Sequence, residues 1–166
     1  SSSTILNPGS ITYATFSNFT FSLAATNECG TDTETSTITV NQQATVEAGT
    51  YSPTCSGQAI QLSGSVTGGA TGGIWSSSGG GIFLPSANNL SATFTPPSGQ
   101  SGNIILTLTA LGVSAPCPAV EDQTTISLNA TPFVNAGGDT AICAGSNYTL
   151  NATIGGAATS GTWSTL

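Results

Sequence analysis

The sequence repeats itself at a spacing of 88 residues, aligning Val46 to Trp75 with Val134 to Trp163 without a gap. Val46, Ala48, Gly49, Cys55, Gly57, Leu62, Gly68, Ala70, Thr71, Trp75 and Ser76 each recur at that offset, as do Pro8, Cys29, Thr37 and Ile38 in Pro96, Cys117, Thr125 and Ile126. A solenoid unit runs to roughly 20–50 residues, so a period this long suits separately folded domains strung in line. The chain then divides into residues 1–43, the C-terminal part of a preceding repeat, residues 44–131, one complete repeat, and residues 132–166, the N-terminal part of a following one. Between the anchors at Pro8 and Thr37 the apolar alternation drifts by one residue, and Phe19 and Phe21 are expected to match Leu106 and Leu108.

Within the complete repeat, alternation of apolar and polar residues predicts seven short strands with one wet and one buried face. They are Thr45 to Ala48, Ala59 to Val66, Gly73 to Ser77, Gly81 to Leu84, Leu90 to Thr95, Asn103 to Ala110 and Thr124 to Leu128. Turn-forming Ser, Gly and Pro separate them, and no segment has helical periodicity. Seven strands in about 88 residues, with a tryptophan on the third, predict an all-β, immunoglobulin-like sandwich. Trp75 and its counterpart Trp163 are expected in the core, where large aromatics dominate the packing.

The chain has no Lys, Arg or His and seven Asp plus Glu, a net charge of −7. Without cations it has no electrostatic footprint for nucleic acid or an anionic membrane. It also lacks histidine bases, histidine metal ligands and lysine nucleophiles, so an enzyme is not expected. No apolar run reaches the roughly 18–20 residues of a spanning helix, so direct membrane insertion is not expected either. Edge strands are commonly guarded by lysine; here proline, glycine and short strand length must do it.

The segments VNAGGDTAICAGSNYTLNATIGGAATSGTWS from Val134 and APCPAVEDQTTISL from Ala115, with their Cys-x-Gly and Trp-Ser positions, carry a resemblance that covers essentially the whole chain. They resemble the immunoglobulin-like or PKD-like tandem repeats of giant cell-surface adhesins in Bacteroidota, of the gliding-motility and type IX secretion kind. The resemblance implies an extracellular repeat arm at the bacterial cell surface, which holds a binding tip away from the cell or forms a fibre for attachment or gliding. It implies no catalytic residue and no cofactor. The implied partners are neighbouring repeats, other filament copies and surface polysaccharide. Asp139-Thr140-Ala141 resembles the short O-glycosylation motif of the same bacteria, which makes Thr140 a candidate; Asn18, Asn89, Asn129, Asn147 and Asn151 each begin an Asn-x-Ser/Thr triplet.

Four cysteines without C-x-x-C spacing or histidine suit disulfides better than zinc. Cys55 precedes the second strand and Cys117 lies in the loop before the seventh, which places them at opposite ends of a sandwich, whereas disulfide Cα atoms lie within roughly 7 Å. Staggered inter-domain pairing of Cys29, Cys55, Cys117 and Cys143 with cysteines of neighbouring repeats is therefore preferred, with Cys55 to Cys117 as runner-up. Glu47, Glu121 and Asp122 are weak calcium candidates at the top of the complete repeat. Isopeptide stiffening requires lysine and is excluded.

A structural arm is the favoured function. The alternatives are a glycan- or protein-binding module using Trp75, the turn at Gly79 to Gly81 or the loop at Gly112 to Pro118, and a head-to-tail fibre subunit in which residues 132–166 and 1–43 of consecutive chains complement one another. A chain cut from a longer protein is preferred over a free split-domain subunit, because a half-domain exposes its core face and unpaired edges.

Overall fold

The computed structural model describes residues 9–165, and among these every regular element is a strand. The preceding repeat supplies a hairpin of β1 (Ser17–Asn27) and β2 (Gly30–Val40). The complete repeat runs from β3 (Thr45–Glu47) through β4 (Thr54–Cys55), β5 (Ile60–Gln61), β6 (Ser65–Thr67), β7 (Gly72–Ser77), β8 (Ile82–Leu84), β9 (Thr93–Thr95) and β10 (Gly102–Leu111) to β11 (Glu121–Asn129). The following repeat contributes β12 (Phe133–Asn135) paired with β13 (Thr153–Gly155).

The complete repeat is a two-layer sandwich. One layer has the order β4-β11-β10-β7. The other is built from β3-β6 and β5-β9-β8, with β5 and β6 forming a single interrupted strand. Across the interruption the Leu62 amide donates to the Ala92 carbonyl at 2.9 Å and the Gly64 amide to the Leu90 carbonyl at 3.0 Å. The strand therefore lies between β3 and β9 and joins them in one sheet. All pairings are antiparallel except β4 with β11. This order is consistent with an immunoglobulin-like sandwich.

The inward set follows the period-two rule. Leu62, Ala92, Phe94, Ile104, Leu106, Leu108, Ile126 and Leu128 are buried, with Ile60, Val66 and Leu90 partly so. Trp75 is 2% exposed and its indole Nε1 donates to the Leu90 carbonyl at 3.3 Å, so the polar handle of the ring is satisfied inside the core. Phe94 stacks on Phe83 with ring centroids 4.7 Å apart. Among the described residues, every buried apolar residue belongs to the stretch from Ala44 to Leu128.

Sheet edges are managed by length and cover. β3, β4 and β8 are two or three residues long. On the longer edge strand β7, the Trp75 amide donates to the Ala87 carbonyl at 2.9 Å, so the β8–β9 connection covers the open side.

One sequence expectation is corrected. Phe19 pairs with Ile38 as Ile104 pairs with Ile126, so Phe19 and Phe21 correspond to Ile104 and Leu106 rather than to Leu106 and Leu108. The first hairpin turns through Glu28 and Cys29 alone, whereas nine residues (112–120) join β10 to β11. A shorter connection slides β1 along its partner while the β2 offset is unchanged. The parallel strand β4 was not anticipated, because two residues leave no alternation to read.

Candidate functional site

The two places where one repeat runs into the next are built alike. At the first, the Gly69 amide donates to the Gln43 carbonyl at 3.4 Å, which carries the β3–β6 ladder back into the linker. Gly68 has φ +77°, and a Cβ on it would strike the Gln43 carbonyl oxygen, so only glycine lets the linker lie this close. At the second, Gly156 has φ +70° and a Cβ would strike the Thr131 carbonyl oxygen. Gln43 and Thr131 are repeat counterparts, and so are Gly68 and Gly156. Three residues (130–132) separate β11 from β12, and four (41–44) separate β2 from β3. Both linkers are short, and the first is hydrogen-bonded into the sandwich, which leaves little backbone free to hinge there.

Each cysteine of the complete repeat sits at one of these junctions. The Cys117 thiol lies 3.8 Å from the Asn41 carbonyl oxygen, and the Asn41 side-chain amide donates to the Ala115 carbonyl at 2.8 Å. At the far end Cys55 is in parallel register with Asn129, whose carbonyl accepts the Ser56 amide at 2.9 Å. Asn41 and Asn129 are themselves counterparts, each just beyond or at the end of its repeat's last strand. The nine-residue β11 between Cys117 and Cys55 spans about 27 Å. Cys55 and Cys117 thus stand at opposite ends of the sandwich, too far apart for the runner-up in-domain bond. All four cysteines are free thiols.

The surfaces offered for binding fare unequally. Trp75 is in the core and presents no platform. The turn at Gly79 to Gly81 is internally bonded: the Ser77 hydroxyl donates to the Gly80 carbonyl at 2.8 Å and accepts the Gly79 amide at 3.3 Å. The loop at Gly112 to Pro118 is engaged by the Asn41 linker. Thr140 and the five triplet asparagines are exposed.

The calcium expectation finds no gathered site. Asp122 spends a carboxylate oxygen on the Ala48 amide at 2.7 Å, fastening the β3 end to β11, while Glu47 and Glu121 are exposed. Among the described residues no group of three Asp, Glu or Cys side chains is placed to hold a metal ion. No helix among them is long and apolar enough to cross a membrane.

The flanking half-repeats present what the complete one hides. Val134, Leu150 and Trp163 are 75%, 56% and 54% exposed, whereas their counterparts Val46, Leu62 and Trp75 are 7%, 1% and 2%. Trp163, expected in the core like Trp75, is exposed in this structure. With Val134 and Ile154 it lines an open concavity of about 330 Å³. On the opposite flank Leu23 and Ile38 are 60% and 46% exposed, although Leu108 and Ile126 in the same positions are fully buried. Tyr13 covers part of that face, its ring 4.6 Å from Phe19. No family model and no curated protein matches this sequence.

Proposed function

We propose that this chain is a length of the structural arm of an extracellular adhesin or filament at a bacterial cell surface, of the kind its sequence resembles in Bacteroidota. The observation that carries the reading is the repeated junction, in which Gly68 and Gly156 admit the linker carbonyls of Gln43 and Thr131 in the same way. A seated linker at each step favours a stiff line of beads over a chain of hinged modules. Burial of Trp75 and the self-bonded turn at Gly79 to Gly81 favour a spacer over a ligand-binding module. The uniform negative charge suits an arm that must not collapse on itself or on neighbouring copies.

The test is made on cells that carry the protein. Antibody against residues 44–131 is expected to label intact cells, and brief protease treatment of those cells is expected to remove the label together with their attachment to surfaces. Labelling only after permeabilisation contradicts the proposal.

A further inference from the structure

We propose that where two complete repeats of this kind follow one another, the cysteine at the Cys55 position of the first and the cysteine at the Cys117 position of the second form a disulfide across the linker, a reducible lock on the joint. The inference rests on the two junctions inside this chain and stands whether or not the arm is displayed at a cell surface.

The junctions show the two sides of one joint. At Asn41 the side seen is that of the following repeat: the loop between β10 and β11 folds back onto the linker, where the Cys117 thiol lies 3.8 Å from the Asn41 carbonyl oxygen. At Asn129 it is that of the preceding repeat: β4 lies parallel to the end of β11 with Cys55 opposite Asn129, and the Ser56 amide donates to the Asn129 carbonyl at 2.9 Å. Asn41 and Asn129 hold the same repeat position, and the first strand of the next repeat begins at the counterparts Thr45 and Phe133. One main-chain carbonyl is thus the meeting point of the amide that follows Cys55 and of the Cys117 thiol.

Placed on a single joint, the two contacts bring the thiols into range. Even laid end to end, 3.8 Å and 2.9 Å keep the sulfur at the Cys117 position within roughly 7 Å of the Ser56 nitrogen, the span over which disulfide Cα atoms are bridged. Cys55 is bonded directly to that nitrogen and is exposed. Ser56 is buried and its hydroxyl accepts the Gly99 amide at 3.2 Å, which pins the β4 side of the joint. On the other side the Cys117 amide donates to the Ser114 carbonyl at 3.1 Å and the Asn41 side-chain amide to the Ala115 carbonyl at 2.8 Å, which fixes the loop against the linker. Groups already held in position lose little freedom when they join. Within one repeat the pairing is closed, since the length of β11 separates Cys55 from Cys117.

The bond forms in two exchanges. The exposed thiolate at the Cys55 position attacks a low-molecular-weight disulfide such as oxidised glutathione, releases one glutathione thiolate and becomes a mixed disulfide. The thiolate at the Cys117 position then attacks the Cys55 sulfur and releases the second glutathione. Two protein thiols are oxidised, one glutathione disulfide is reduced, and the two protons end on the released thiols. Tandem domains move against one another unless something holds them. The disulfide ties the two repeats a second time beside the linker, so bending at the joint is lost on oxidation and returns with reductant.

The test lengthens the chain by one repeat: residues 1–131 followed directly by 44–166, which keeps the 88-residue spacing and brings both cysteines to one joint. In oxidised glutathione without denaturant, peptide mapping should return Cys55 of the first copy joined to Cys117 of the second within a single chain. Cys55→Ser in the first copy or Cys117→Ser in the second should abolish that cross-link, and Cys117→Ser in the first copy should leave its yield unchanged. The 166-residue chain treated alike should form no bond within one molecule. In reductant the unfolding midpoint of the lengthened chain should equal that of the 166-residue chain, as it does when the added repeat is folded. A cross-link of Cys55 to Cys117 within one copy, a random set of pairs, thiols that go no further than mixed disulfides with glutathione, or an added repeat that does not fold overturns the proposal.

Discussion

Trp75→Ala is expected to destabilise the complete repeat by about 3–5 kcal/mol, while Trp163→Ala, at the same repeat position, changes stability by less than about 1 kcal/mol. Trp75 is 2% exposed, closes over Gly64 and donates its indole N–H to the Leu90 carbonyl. Its removal leaves a cavity and takes from the Leu90 carbonyl one of its two hydrogen bonds, the Gly64 amide remaining. Trp163 is 54% exposed with no strands packed over it, so little is lost with it. For a domain of this size the first substitution corresponds to a fall in Tm of roughly 12–40 °C. Calorimetry of both variants in reductant provides the comparison. The wild-type chain should show two tryptophan environments by fluorescence, and Trp75→Ala should leave only the solvent-exposed one.

A charge placed in the core makes the second contrast. Ile126→Asp sets a carboxylate at a fully buried position in a chain with no cation to pair with it. An uncompensated buried charge costs about 3–5 kcal/mol, and loss of the isoleucine packing adds roughly 2–5 kcal/mol. The sum reaches the roughly 5–15 kcal/mol by which domains are stable at all. The complete repeat of this variant is therefore expected to be unfolded, with amide resonances collapsed to the random-coil range. Ile38→Asp, its counterpart at 46% exposure, should retain dispersed resonances for residues 44–131. Equal tolerance of the two substitutions would mean that the β10–β11 face is not the core wall described above.

The strands were legible in the sequence because one face of each is buried, and a period of two records that burial directly. Leu62, Phe94, Leu106 and Ile126 were all readable as inward residues for this reason, and they are 1% exposed or less. The offset between repeats gives residues 44–131 as the complete unit, and the buried apolar cluster lies between Ala44 and Leu128. The slide of β1 against β2 was not legible, because it comes from the chain between equivalent paired positions being three residues shorter (Leu23 to Glu34 against Leu108 to Asp122), and turn length leaves no trace in apolar pattern. Nor was β4, whose two residues gain their strand geometry from parallel pairing with Leu128 and Asn129.

For the junctions, the sequence showed glycine at 68 and 156 but not the carbonyls that need it, since those belong to linker residues with no pattern of their own. The cysteines were readable as lying at opposite ends of a repeat, but their shared neighbour was not. That Cys55 and Cys117 both address the same asparagine position appears only when β11 and the Asn41 linker are in place. The three carboxylates named for calcium are not gathered: Asp122 accepts the Ala48 amide at the end of β3, while Glu47 and Glu121 are exposed.

The most direct measurement is equilibrium unfolding of residues 44–131 produced as a free polypeptide. All the buried apolar residues among those described lie in this stretch, so it should fold alone. A single cooperative transition is expected, with the same midpoint as the corresponding transition of the intact chain. A non-cooperative melt, or a midpoint that depends on covalent attachment of the flanking residues, would contradict a self-contained bead.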